Sequence, residues 1–471
     1  MPLILGTNSI KDTGFNVANS CRFNSGSSDR LHKSQSTGNQ KTYTFSFWIK
    51  RSILGVQENI IGARYGAQGR YAFLRWNGDD PDKDKLEFHS GIYSTSSTST
   101  SIAFKTNRVF RDTNAWYHIV VAVDSTQAAG SGNQFHIYVN GVEELSFTSA
   151  TDPSENDNHF FNINTTTLEI GAQASDSYLN AYIAEFVLID GQQLTPTSFG
   201  EFDEDSGIWK PIDVSGLTFG NNGFYLDFED SSNLGNDANG GTDLTEANIT
   251  AIDQSTDTCT NNFATLNPLD IPTANKPNTF SQGNLEITNS ADENRTSFSS
   301  IGVQSGKWYF EAKFLSGEMK QYIGISKQET VDRIGASANS YGFAGENARK
   351  WNNNSYGSYG STASTGDIIM VAFDADNGII WVGKNGSWFG SATQSEIENS
   401  TTTNAMYSSI TIDDFFMMGF SMEDSNIQVN FGSPMYAISS GNTDGDGFGN
   451  FEYAVPSGYY SLNTKNLAEY G

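Results

Sequence analysis

Glu201, Asp203 and Asp205 stand at every second position of the run Glu201-Phe-Asp-Glu-Asp205. On a strand, that period places all three carboxylates on one face. Two carboxylates flanking a sugar bond are the equipment of glycoside hydrolysis. The setting argues against it. Phe202 and Glu204 intervene, Pro196, Gly200 and Gly207 bracket the segment, and no longer apolar run surrounds it. The run therefore reads as an exposed acidic loop, and no residue is assigned a catalytic role. The histidines His32, His89, His118, His136 and His159 show no metal spacing, and His118 and His136 fall in strand-like runs as satisfied sheet residues. No nucleophile elbow or phosphate-cradling loop occurs. The chain is expected to be non-enzymatic, with a polysaccharide-degrading enzyme as an alternative.

Calcium is the one cofactor the residues raise. In Asp444-Gly-Asp-Gly-Phe-Gly-Asn450, the side chains of Asp444, Asp446 and Asn450 offer oxygens on a glycine-rich turn, as hard cations require. The distal Glu of an EF-hand is missing, since Glu452 arrives too early. Asp79-Asp-Pro-Asp-Lys-Asp84 is a second acidic loop. Asp and Gly also build ordinary turns, which is the weightier reading of both. Ligand contact has a separate candidate in Tyr341, Arg349, Trp351, Tyr356 and Tyr359, within the Gly/Ser/Asn-rich stretch 340–361. Rings with polar neighbours suit sugar or protein faces. Equally, these rings could pack the stretch onto the body of the domain.

The elements that must position these groups are strands. Thr42-Tyr-Thr-Phe-Ser-Phe-Trp-Ile49 alternates, with Tyr43, Phe45, Phe47 and Ile49 on one face. Trp116-Tyr-His-Ile-Val-Val-Ala-Val123 is a denser run, which predicts a central strand buried on both faces. Asn140-Gly141 and Asn385-Gly386 each separate two strand-like runs and predict two-residue hairpin turns. Lys307-Trp-Tyr-Phe-Glu-Ala-Lys-Phe314 and Ile368-Ile-Met-Val-Ala-Phe-Asp374 repeat the aromatic and buried strands in the second half. Between the halves, Asn, Asp, Gly and Thr dominate, followed by Pro268, Pro272 and Pro277. Such residues limit strand pairing and predict a connector with short edge strands at most. The expected organisation is all-β: a sandwich over 1–230, an irregular connector over 231–283 and a second sandwich over 284–471.

The 471 residues exceed what one core supports. A formal charge of −27 and the absence of a Lys/Arg cluster argue against nucleic-acid binding. Cys21 and Cys259 form no disulfide framework or zinc spacing, and Cys21 reads as a small buried hydrophobe. No segment reaches the ~20 apolar residues needed to span a bilayer. Leu3-Ile-Leu5 is too short an apolar patch for a signal peptide.

Five ordered motifs make residues 12–230 resemble the laminin-G-like and pentraxin-like group of concanavalin-A-type sandwiches. They are Phe45-Ser-Phe-Trp-Ile-Lys50, Trp116-Tyr-His-Ile-Val-Val-Ala-Val-Asp124, Ile137-Tyr-Val-Asn-Gly141, Ile170-Gly-Ala172 and Ala181-Tyr-Ile-Ala-Glu-Phe186. Residues 280–436 resemble a SPRY domain through Gly306-Lys-Trp-Tyr-Phe-Glu311, Tyr322-Ile-Gly-Ile325, Gly366-Asp-Ile368, Phe373-Asp374, Trp381-Val-Gly-Lys-Asn-Gly386 and Val429-Asn-Phe-Gly432. The module order, Asn262-Phe-Ala-Thr-Leu-Asn-Pro268, the opening Pro2-Leu-Ile-Leu-Gly-Thr7 and the closing Tyr459-Tyr-Ser-Leu-Asn-Thr-Lys-Asn-Leu467 are similar to virion structural proteins of tailed phages, particularly marine ones.

These resemblances imply a tail-fibre, tail-associated or head-decorating protein at the particle surface, made in the host cytoplasm. They imply glycan or protein contact through loops at the sandwich edge, with 340–361 similar in position to variable SPRY binding loops. Asp124 sits where laminin-G-like domains can place a calcium ligand. The expected partners are other virion proteins, copies of this chain (a trimer foremost) and a host-surface glycan or protein. A purely architectural part without a host ligand is the rival reading.

Overall fold

The computed structural model describes residues 14–65, 70–92, 99–272, 277–317, 320–329 and 331–471. The opening run 2–7 lies outside them. Nearly every regular element is a strand, and the chain divides into two compact units at Thr260/Asn261. Each is built from two antiparallel sheets, as the alternating patterns predict.

In the N-terminal unit one sheet runs Val142–Glu143, Phe135–Val139, Trp116–Asp124, Thr42–Arg51, Ala181–Asp190, Ser20–Phe23 and Gln254–Ser255, with Phe224–Leu226 also paired to Ala181–Asp190. The other runs Phe147–Thr151, Thr100–Val109, Lys85–Gly91, Tyr71–Trp76, Glu58–Arg64, Thr167–Ile170, Arg30–Ser34 and Thr245–Ala247. Tyr43, Phe45, Phe47 and Ile49 point between the sheets into one core with Leu74, Trp76, Phe88 and Ile119. The outer face of the first sheet is covered as well. Trp48, Trp116, Tyr182 and Trp209 pack together on it, and Val120, Val187 and Phe199 form a neighbouring cluster. This explains why Trp116–Asp124 is apolar on both sides. Among the described residues, Tyr71, Arg75, Glu87, His89 and Lys105 stand half-exposed on the outer face of the second sheet.

The C-terminal unit pairs a seven-stranded sheet, Thr279–Ser281, Glu286–Asn289, Ser425–Asn430, Lys307–Gly317, Ile368–Asp374, Ile379–Lys384 and Ser387–Trp388, with a six-stranded one. The latter runs Arg295–Val303, Phe416–Met422, Gln321–Lys327, Ser340–Ala344, Arg349–Asn352 and Ser355–Ser358. Asn140-Gly141 has φ of 49° and 78°, and Asn385-Gly386 has 50° and 80°, the positive values that two-residue hairpin turns need.

Within 231–283, short edge strands are accompanied by residues that enter the cores of the two units. Leu234, Leu244 and Ile249 join the N-terminal core, while Thr245–Ala247 and Gln254–Ser255 add edge strands to its two sheets. Ala264 and Leu266 belong to the C-terminal core. Single apolar residues spaced through polar sequence give no periodic signal, yet each is anchored by a distant strand. The two compact units divide at 260/261, inside this stretch.

Candidate functional site

The acidic run forms one arm of a small hairpin, in which Gly200–Phe202 pairs with Trp209–Pro211. Asp203 accepts hydrogen bonds from the Ser206 amide at 2.9 Å and hydroxyl at 2.8 Å, and it lies 3.3 Å from Lys210 Nζ. The same ammonium stands 3.5 Å from Glu201. The Ser206 hydrogen bonds, with Lys210 beside them, pull the Asp203 carboxyl down to about 2. A general acid must keep its proton at working pH, and Asp203 cannot. His118 is likewise structural. The Trp209 indole N–H donates to its Nδ1 at 2.9 Å, so Nε2 carries the proton and donates to Ser46 Oγ at 2.9 Å. Burial lowers its pKa to about 3.

The calcium candidates are occupied by protein donors. One oxygen of Asp444 accepts the amides of Asp446 and Phe448, and the other accepts the Ser461 amide, the Ser461 hydroxyl and the Asn466 side chain. Asp446 accepts from the Tyr470 hydroxyl, and Asn450 engages Gly432 and Asn430 through its backbone. Asp124 caps its own turn, taking the Thr126 amide and hydroxyl, Gln127 and Thr42. Carboxylates saturated in this way fasten loops. Among the described residues, no group of three or more His, Cys, Asp or Glu side chains is placed to hold a metal ion.

The stretch 340–361 is a strand meander and not a loop: Ser340–Ala344, Arg349–Asn352 and Ser355–Ser358 form one edge of the six-stranded sheet. Trp351 and Tyr356 pair across two of these strands with ring centroids 4.8 Å apart. The Arg349 guanidinium lies 4.1 Å from the Tyr356 ring, and Arg333 lies 4.1 Å from the Trp351 ring. Three of the five expected residues thus meet in an alternating stack of rings and cations, with Tyr356 57% exposed. The other two are elsewhere. Tyr359 is buried against Phe389 and donates to the Asn404 carbonyl, and Tyr341 packs on Tyr407. Arg333 was not foreseen, because nothing in its polar neighbourhood marks it.

A second surface was also missed. Along Tyr71–Trp76, Ala72, Leu74 and Trp76 point into the core, while Tyr71, Phe73 and Arg75 lie on the opposite face, where Tyr71 and Arg75 are half-exposed and Phe73 is buried. On the neighbouring strand His89 is directly opposite Phe73, and Glu87 is opposite Arg75. The His89 ring stacks on Phe73 at 5.3 Å and lies 5.2 Å from Tyr71. The Arg75 guanidinium covers Phe73 at 4.2 Å and donates to Glu87 at 3.0 Å. Burial lowers the His89 pKa, so the ring is neutral at pH 7. The result is a platform in which the half-exposed Tyr71 and His89 rings flank a buried Phe73, edged by a paired guanidinium and carboxylate. The alternation of rings in Tyr71-Ala-Phe-Leu-Arg-Trp76 was the available signal.

Two family profiles match the chain. The Concanavalin A-like lectin/glucanases superfamily matches residues 24–198, and the SPRY domain matches residues 307–432. The chain carries a concanavalin A-like domain followed by a SPRY domain. No curated protein matches in sequence. Among the solved structures that match, the SPRY domain of human HERC1 is 14% identical with a TM-score of 0.27, over 35% of this chain and 96% of that one. A candidate carbohydrate-binding protein from Bacteroides ovatus ATCC 8483 is 17% identical with a TM-score of 0.35, over 50% of this chain and 60% of that one. Neither adds to the two family matches. The ring platform lies within the matched part of the concanavalin A-like domain, and the Trp351–Tyr356 stack lies within the matched part of the SPRY domain. Among the described residues no helix is long and apolar enough to cross a membrane.

Proposed function

We propose that this chain is a non-catalytic adhesion protein of a tailed-phage particle, and that its concanavalin A-like domain holds a host-surface glycan on the Tyr71–Phe73–His89 platform. The observation that carries the binding reading is the pair of half-exposed rings, Tyr71 and His89, on one sheet face among the described residues, inside a domain matched to a lectin and glucanase superfamily. Sugar rings present C–H faces that pack on flat aromatic groups, and hydroxyl edges that bond to charged side chains such as Arg75 and Glu87. Stiff sheets keep the rings in place without a ligand, which lowers the ordering cost of binding. A single shallow platform binds weakly, and clustered copies, as in a trimeric fibre, convert weak sites into firm attachment. The phage setting rests on the module order and on the similarity of the run 262–268 and the two terminal segments to virion proteins.

The test is binding of the purified full chain to a glycan array and to intact bacterial cells, compared with Tyr71→Ala and Arg75→Ala. Each variant is expected to lose at least roughly tenfold in affinity, about 1.4 kcal/mol. If neither glycan nor cell is bound while particles fail to assemble without the protein, a purely architectural role replaces adhesion.

A further inference from the structure

The SPRY domain has an open groove of about 540 Å³, whose lining includes Met370, Gly386, Trp388, Ala392, Gln394 and Tyr453. It is distinct from the Trp351–Tyr356 stack. Its two walls are rings held by separate elements. Trp388 follows the Asn385-Gly386 turn, contacts Tyr309 edge-on at 6.4 Å and directs its indole N–H to Gln394 Oε1 at 3.4 Å. Tyr453 sits on the C-terminal segment. Its amide and that of Glu452 donate to the buried Glu311 carboxyl, at 2.8 and 3.0 Å. Between them, Met370 is 2% exposed and its sulfur accepts the Gly386 amide. Gly386 has a φ of +80°, which favours glycine, and a Cβ on it would stand 3.1 Å from Tyr453 Cδ1, so the ring would have to give by a few tenths of an ångström.

The chemistry of the lining selects among ligands. None of the lining side chains carries a formal charge. The acidic groups acting on Tyr453 are Glu452, Glu311 and Asp367. Asp367 is paired with Lys384 at 3.3 Å and Asn385 at 2.6 Å, and Glu452 accepts from Ser439. An anionic ligand would meet this acidic fringe with no cation in the lining to receive it, and the lining holds no carboxylate to pair with a cationic one. The Gln394 amide already donates to Glu398 at 3.2 Å and accepts from Trp388, and a wholly apolar ligand would still cover the Ser387 hydroxyl without bonding it, which is costly. What remains is a neutral molecule with flat C–H faces and hydrogen-bonding edges, in a groove sized for a small ligand.

We propose that the groove between Trp388 and Tyr453 binds a neutral saccharide unit, making the SPRY domain a second sugar site of the chain. This deepens the adhesion reading and rests on it for the class of ligand. The test uses the full chain carrying Tyr71→Ala, which disables the first platform, with methyl glycosides of neutral hexoses, glucuronic acid and a proline-rich peptide as probes. Saturation-transfer NMR and calorimetry on this background should detect the neutral glycosides. Adding Trp388→Ala or Gln394→Ala should weaken them at least tenfold. Gln394 is exposed, so its variant retains the fold, which a matching thermal transition verifies. Unchanged binding in both variants overturns the proposal, as does preference for glucuronic acid or for the peptide. If the glycosides bind the groove but the unaltered chain binds no array glycan and no cell, the groove assignment stands and the adhesion reading falls.

Discussion

Replacing Lys50 by Met should destabilise the concanavalin A-like domain by about 3–5 kcal/mol, the usual result of stripping one partner from a buried ion pair. Lys50 Nζ lies 2.6 Å from Asp257 Oδ2, with side chains 2% and 1% exposed. Asp257 also accepts the Trp116 indole N–H at 3.2 Å, and the Lys50 ammonium stands 5.4 Å from the centre of the Tyr182 ring. The pair pins the segment after Gln254–Ser255 onto the outer face of the first sheet, beside the Trp48–Trp116–Tyr182–Trp209 cluster. Lys50→Met fills similar volume, so the loss reports the removed charge partner of Asp257 and not a cavity. For a domain of this size each kcal/mol moves the transition by about 2–4 °C, giving a fall of roughly 6–20 °C. Lys50→Met combined with Asp257→Leu removes both charges and should recover most of the loss, since buried pairs contribute little net stability over apolar replacements. Calorimetry and urea unfolding of the full chain read both effects, urea being uncharged and so leaving the pair unscreened. A loss below about 1 kcal/mol in the single variant, or a double variant no better than the single one, would refute the reasoning.

Two further outcomes follow from burial. Glu185 sits at a bulge in Ala181–Asp190 with φ of 51°, accepts the Tyr225 hydroxyl at 2.6 Å, and is pushed up to about 8, chiefly by burial. Its folded pKa lies above the unfolded 4.5, so the folded state holds the proton longer. The stability it contributes is complete below pH 4.5 and is lost as pH rises through 8, by at most about 5 kcal/mol. Glu58 and Glu311, both raised to about 7, act in an overlapping window. Glu185→Gln should therefore flatten only part of the decline in urea midpoint between pH 5 and 8, and identical slopes would rule the assignment out. In the SPRY domain, Tyr359→Ala should cost about 3–5 kcal/mol as a core truncation, and Tyr356→Ala about 1 kcal/mol or less. Equal losses by urea unfolding would contradict their placement.

Local pattern was enough for much of this protein. Alternation in Thr42–Arg51 assigned its inward face, the dense run at Trp116–Asp124 announced burial on both sides, and both Asn-Gly pairs named their turns. These features depend on residues within a few positions of one another, and side-chain period and positive φ are local properties of the backbone. The sites were not local. Asp444 looks like a cation ligand until Ser461 and Asn466, far along the chain, supply its donors. Trp351 acquires its cation from Arg333, and the isolated leucines of 231–260 find their core only through strands near the N-terminus. Tyr71 and His89 become neighbours around Phe73 only because their strands pair in that register. Alternation states which residues share a side of a strand. Which side meets the core, and which meets a ligand, is decided by long-range pairing and by what packs over each sheet, and only the tertiary structure carries that information.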